Sequence, residues 1–193
     1  MQSPMPYPQQ PFPPQKKGTS IWVVLAIILG CVVIFGGILV VLAISGVRSY
    51  LQAAKSAEAL SSVGAIARDA ASSYSSEDPQ TLCASASQPI PASLSSVAGK
   101  KYQSSTTEWS RDASANAGFA CLHFEMDMPQ YYQYDYKTSG SPSRRAVGDG
   151  FRASAKGDLD GNGTASDFSL SGRITAPGTL VVDTTLTQVN PKE

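Results

Sequence analysis

No charged residue occurs anywhere from residue 21 to residue 46, where the chain reads IWVVLAIILGCVVIFGGILVVLAISG. An uncharged run of this length excludes an ordinary water-facing helix. As a helix it is about 39 Å long at 1.5 Å per residue, more than the ~30 Å hydrocarbon core of a bilayer. Histidine is nearly absent: His123 is the only one. A single imidazole excludes the usual His-rich metal centres, and a surface or half-buried strand position is its expected place. An excess of either charge sign is lacking too, since Lys+Arg and Asp+Glu both count 15. That balance argues against nucleic acid as a partner, because phosphate binding needs a basic face. Arg144-Arg145 stands among Ser, Pro and Gly and reads as part of a solvated loop. The chain has no serine in a nucleophile elbow, no phosphate-cradling glycine loop and no catalytic pair of carboxylates, so no enzyme is expected.

What is present divides into four stretches. Residues 1–20 carry Pro at 4, 6, 8, 11, 13 and 14 and have few aliphatic side chains. Proline removes backbone donors, so a disordered, partly polyproline-II cytoplasmic tail is expected. Residues 21–46 are the transmembrane helix. The run starts after a polar stretch and exceeds a signal-peptide core of about 7–15 residues, so it reads as a retained span. Ala43-Ile44-Ser45 comes near a cleavage site without making one. Lys16 and Lys17 precede the run, and Arg48, Lys55 and Glu58 follow it. With the amino terminus, these charges lead to the expectation of a single-pass protein with the N-terminus in the cytoplasm and the remainder outside.

Residues 47–78 continue the helix as an amphipathic segment. Val47, Tyr50, Ala54, Ala57, Leu60, Val63, Ala67, Ala70 and Tyr74 recur at spacings of three and four and predict its buried stripe. Asp78-Pro79 ends it. Residues 79–193 are an extracytoplasmic β-sheet domain. An irregular Ser-, Ala-, Gly- and Pro-rich loop fills 79–118. Strands follow at 119–126, 130–136, 151–156 and 167–175, with a short one at 180–182. Leu122, Phe124 and Met126 share one side of the first strand. Tyr132, Tyr134 and Tyr136 share a side of the second, as core against a helix or as a ligand platform. Tight connections imply an antiparallel meander whose apolar face the outer half of the helix covers. The predicted class is α+β.

Cys83 and Cys121 are the only cysteines of this domain, an even number that suits an oxidising compartment. Two readings stand open: a disulfide, which across its loop would contribute about 4 kcal/mol, or two buried thiols. Cys31 lies inside the span. Asp158-Leu159-Asp160-Gly161-Asn162-Gly163 is the sharpest local motif. Asp158, Asp160 and Asn162 offer oxygens at alternate positions, as in the first half of an EF-hand Ca²⁺ loop. Ser169 then stands where that loop needs Glu, no helices flank it, and Asp167 is the one late carboxylate. The competing reading is a strand-connecting turn, since Asp-Gly and Asn-Gly are hairpin signals.

A basic leader, an apolar helix running on into an amphipathic half, and a following antiparallel sheet with a paired-cysteine loop resemble type IV pilins and pseudopilins. Lys16-Lys17-Gly18 resembles a prepilin leader, with Gly18 at the processing position. Residues 50–74 (YLQAAKSAEALSSVGAIARDAASSY) resemble the pilin helix beyond the membrane. Residues 131–136, the glycine-rich loop 157–163 and Phe168 look like pilin-like proteins of myxobacteria. The resemblance implies a structural or accessory component of a type IV pilus or type II secretion-like filament system. Its partners would be membrane lipid and other pilin-like subunits or assembly-platform proteins. Two residues depart from the family. Thr19 stands where a pilin has Phe, and Val23 where it has the Glu that registers subunits in the fibre. The alternative expectation is a membrane-tethered extracytoplasmic module that senses or binds a ligand without assembling.

Overall fold

The computed structural model describes residue 18 and residues 20–191. The Pro-rich tail and its lysines lie outside the described residues. The chain forms two compact units, Met1–Gly46 and Val47–Glu193. A single helix, α1 (Ile21–Ser76), contributes to both. The first unit contains the run Ile21–Ala43, long and apolar enough to cross a membrane. All of its large hydrophobic side chains within 21–42 are exposed.

In the second unit, α1 buries Ser56, Ala59, Ser62, Val63, Ile66, Ala67, Ala70 and Tyr74. The C-terminal half of the predicted stripe is therefore correct, and its N-terminal half is not. Val47, Tyr50 and Leu60 are 59%, 75% and 38% exposed, and Ala54 and Ala57 are exposed with them. The cause is helical phase. The steps 57, 60 and 63 are each three residues, and six residues at about 100° each fall ~120° short of two turns. A stripe read by apolar identity therefore slides off one face onto another. The buried face includes two serines, Ser56 and Ser62, each 9% exposed.

The sheet is antiparallel throughout, in the order β1 (Gln133–Ser139), β2 (Gly150–Gly157), β3 (Ser166–Ala176), β4 (Thr179–Val182), with β5 (Thr187–Val189) also paired to β3. This is the α+β meander expected and it has the expected five strands, but not the same five: residues 119–126 are not among them, and β5, only three residues long, takes the fifth place. Tyr132, Tyr134 and Tyr136 are fully buried. Tyr134 lies opposite Ala155 and Tyr136 opposite Ala153, so small residues on β2 make room for the rings. Tyr132 meets Phe168 edge-on at 5.7 Å, and Tyr136 lies 5.8 Å from Phe151. Gly172 is needed on β3 because a Cβ there would run into the Phe151 ring.

Residues 119–126 are not a strand. Gly118–Leu122 forms a short helix, α3, and His123 closes it in the left-handed region at φ 56°. Phe119, Cys121 and Leu122 are buried, while His123 is exposed at the surface. Four or five apolar residues fit either period, and here packing decides. Trp109 holds Phe119 at 5.0 Å and Phe124 at 5.4 Å, both edge-on. Residues 79–118 are largely irregular, as expected, with short helical turns at Leu94–Ser96, Thr106–Trp109 (α2) and Ala113–Ala115. Part of this segment lies along β1. Ile90 and Tyr134 exchange two backbone hydrogen bonds of 2.8 Å, and Ala86 N–H donates to Tyr136 O at 2.9 Å. Arg144 is more than a solvated loop residue: its Nε donates to Leu82 O at 2.9 Å, and its own carbonyl accepts from Leu82 N–H at 2.9 Å.

Candidate functional site

The loop from β2 to β3 brings Asp158, Asp160 and Asn162 together, as the sequence motif requires. Their oxygens, however, are turned on the loop itself. Asp158 is 5% exposed. Its Oδ1 accepts from Gly161 N–H at 2.8 Å and Asn162 N–H at 3.1 Å, and its Oδ2 accepts from Gly163 N–H at 3.0 Å. Asp160 accepts from the Asn162 backbone and side-chain amides at 3.1 and 3.0 Å. Asn162 Oδ1 accepts from Thr164 N–H at 2.6 Å. Gly161 and Gly163 take φ of +76° and +90°, which side chains rarely adopt, so the glycines allow this amide nest to form. The loop is also docked: Gly99 N–H donates to Asp158 O at 2.7 Å. Such a loop is complete as a turn. Asp167 faces elsewhere, paired with Arg152 at 3.4 Å. Among the described residues, no three His, Cys, Asp or Glu side chains are grouped to hold a metal ion.

Of the two readings open for Cys83 and Cys121, the disulfide holds: the residues are bonded with Cα atoms 5.9 Å apart, and both are buried. The bridge ties the irregular segment to α3. Gly18 is exposed just ahead of α1, with nothing within 4 Å of where a Cβ would stand. Val23 is 48% exposed on the apolar helix.

Sequence reasoning missed a polar node at Glu58, which it read as a charge following the apolar run. Glu58 Oε1 accepts from Tyr131 N–H at 2.8 Å and from the Tyr134 hydroxyl at 3.1 Å. Burial pushes its carboxyl above the usual range, opposed by these hydrogen bonds and by the Lys101 charge. Burial also raises the Tyr134 hydroxyl, reinforced by the Glu58 charge beside it. The ammonium groups of Lys55 and Lys101 lie 4.6 and 4.8 Å from the centre of the Tyr131 ring, within cation–π range. The available signal was Glu58 itself, one turn before Ser62 on the face that the corrected phase buries. The node joins helix to sheet, and nothing in its geometry resembles an acid–base pair aimed at an open cleft.

The chain matches no protein-family description, no curated protein and no solved structure.

Proposed function

We propose that this chain is a pilin-like, single-pass membrane protein. It would serve as a structural or accessory component of a type IV pilus or type II secretion-like filament system and carry out no catalysis. The observation that carries this reading is α1: a helix that begins in a membrane-length apolar run and, further on, buries Ala59, Val63, Ile66, Ala70 and Tyr74 beneath an antiparallel sheet. The N-terminus would lie in the cytoplasm and the sheet domain outside. The disulfide is consistent with that side being oxidising. Partners would be membrane lipid, through the exposed apolar run, and other pilin-like subunits or assembly-platform proteins.

A second reading has its own support in Val23. A filament-forming pilin carries Glu at the matching place, so a chain with Val there fits a tethered, non-assembling extracytoplasmic module. Mass spectrometry of the mature N-terminus separates the two. A chain that begins at Thr19 and is recovered in sheared surface fractions supports filament assembly. A full-length chain confined to the membrane fraction removes that reading and leaves the tethered module.

A further inference from the structure

We propose that the outer face of β1, β2 and β3 binds an acidic polysaccharide. The faces of these strands alternate. Tyr134 and Tyr136, Phe151, Ala153 and Ala155, and Phe168 and Ile174 point into the core. The opposite positions carry Lys137 on β1, Arg152 and Lys156 on β2, and Arg173 on β3, against the acids Asp135 and Asp167. Lys137 lies directly across from Arg152 in the register, and Arg152 across from Ser171, two residues from Arg173. Like charges placed directly opposite weaken a sheet. Lys137 has a structural use, since its ammonium donates to Ala86 O at 2.8 Å, but that bond does not account for Arg152 and Arg173 on the same face.

The acids do not neutralise it. Asp135 approaches Lys137 at 3.4 Å, while Asp167 serves both Arg152 at 3.4 Å and Lys156 at 3.7 Å. Arg173 forms no ion pair among the described residues. Asp183, just past β4, uses its N–H on Ser171 O at 2.8 Å and forms no ion pair with Arg173 either. Lys137, Arg152 and Arg173 line one shallow recess of about 340 Å³ together with Thr138, Ser139 and Ser171, and no carboxylate lines it. A second recess of about 350 Å³ adjoins it through Lys137 and Arg152 and adds Lys156, Ser154 and Gln133, with one carboxylate, Asp135, against its three cations.

Two adjoining recesses, rich in cations and hydroxyls, fit a chain with repeated carboxylate or sulfate groups and sugar hydroxyls between them. A lone small anion would be held weakly at such an open surface, whereas a polymer engages several cations at once. No aromatic side chain stands at the outward positions of these strands, so the stacking that favours single-stranded nucleic acid is missing. The disulfide of the same unit suits an oxidising compartment, outside the nucleic-acid-rich cytosol. Binding of this kind needs no filament, so its failure and the failure of filament assembly are separate results.

The test titrates the full chain, in neutral detergent micelles, with polygalacturonate and with heparin. Binding should weaken steadily as salt is raised. The double variant Arg152→Gln/Arg173→Gln should bind about tenfold more weakly, and Arg145→Gln, in the β1–β2 loop, should bind as the unaltered chain does. Should the double variant not fold, the single exposed change Arg173→Glu carries the test, with several-fold weaker binding expected. Equal affinity of the folded variant and the unaltered chain overturns the proposal. So does an absence of polysaccharide binding at low salt, or binding to duplex DNA or phosphatidylglycerol vesicles alone.

Discussion

Replacing Glu58 by alanine and by glutamine separates the hydrogen bonds of the helix–sheet node from its charge. Alanine leaves the Tyr134 hydroxyl, on a fully buried residue, and the Tyr131 N–H without their acceptor. An unsatisfied buried polar group costs about 1–3 kcal/mol, and Tyr131 is only half-buried, so Glu58→Ala should destabilise the sheet domain by about 2–3 kcal/mol. Glutamine keeps an oxygen for both donors, removes the cost of burying a charge and gives up the attraction of Lys101. Glu58→Gln should therefore lie within about 1 kcal/mol of the unaltered chain at neutral pH. The sign with pH is also determined. The folded-state carboxyl titrates above its usual 4.5. Between the unfolded and folded values the native state holds a proton that the unfolded chain has released, so stability falls as pH rises through that window. Relative to Glu58→Gln, the unaltered chain should be most stable at acid pH, below 4.5, and lose that margin on the way to neutral. Near-UV circular dichroism melts of the full chain in micelles, across pH, read both effects. Equal stabilities of the alanine and glutamine variants, or a margin that grows with pH, would refute this account of the node.

Three further outcomes follow from the packing. Changing Cys83 and Cys121 to serine should cost about 4 kcal/mol by loop-closure entropy, read as a lower denaturation midpoint that reductant reproduces in the unaltered chain. Asp158→Ala should cost about 2–3 kcal/mol by stranding the Gly161 and Gly163 amides, and millimolar Ca²⁺ should leave the melting temperature of the unaltered chain where it was. A melting temperature that rises with Ca²⁺ and falls with chelator would show instead that the loop opens to take a metal. Gly172→Ala drives a methyl group into the Phe151 ring and should cost about 1–3 kcal/mol, while Gly148→Ala, at a glycine with open space around it, is judged only on its positive φ.

The strands were legible where side chains alternate without interruption. The Tyr134 and Tyr136 row, with Tyr132 just ahead of it, and the Phe151, Ala153 and Ala155 row each mark one face of a pleat, although β1 begins and ends three residues later than the expected 130–136. The membrane-length run was legible because it rests on composition alone. Residues 119–126 were not, because Leu122, Phe124 and Met126 alternate while the disulfide at Cys121 and the Trp109 ring hold the chain in a turn of helix. The phase of the helix was half legible: Ala67, Ala70 and Tyr74 agree with it, but Ser56 and Ser62 are buried too, and a hydrophobic pattern does not register serine. The basic outer face of the sheet left almost no mark, since Lys137, Arg152 and Arg173 come from three strands and meet only through their register.

The disulfide also governs how the sheet meets its surroundings. The segment that begins at Cys83 supplies the backbone groups that pair with Tyr134 and Tyr136 along the outer edge of β1. An unpaired strand edge is a template for other chains, and proteins commonly cover such edges. Here the cover is a loop, held at Ala86 and Ile90 by a few hydrogen bonds and at Cys83 by a covalent bond. Reduction would remove the covalent hold and leave the cover to these hydrogen bonds and to the burial of Leu82, Ala86 and Ile90 in the core. One anchor of the edge cover is thus set by the redox state of the compartment in which the chain matures.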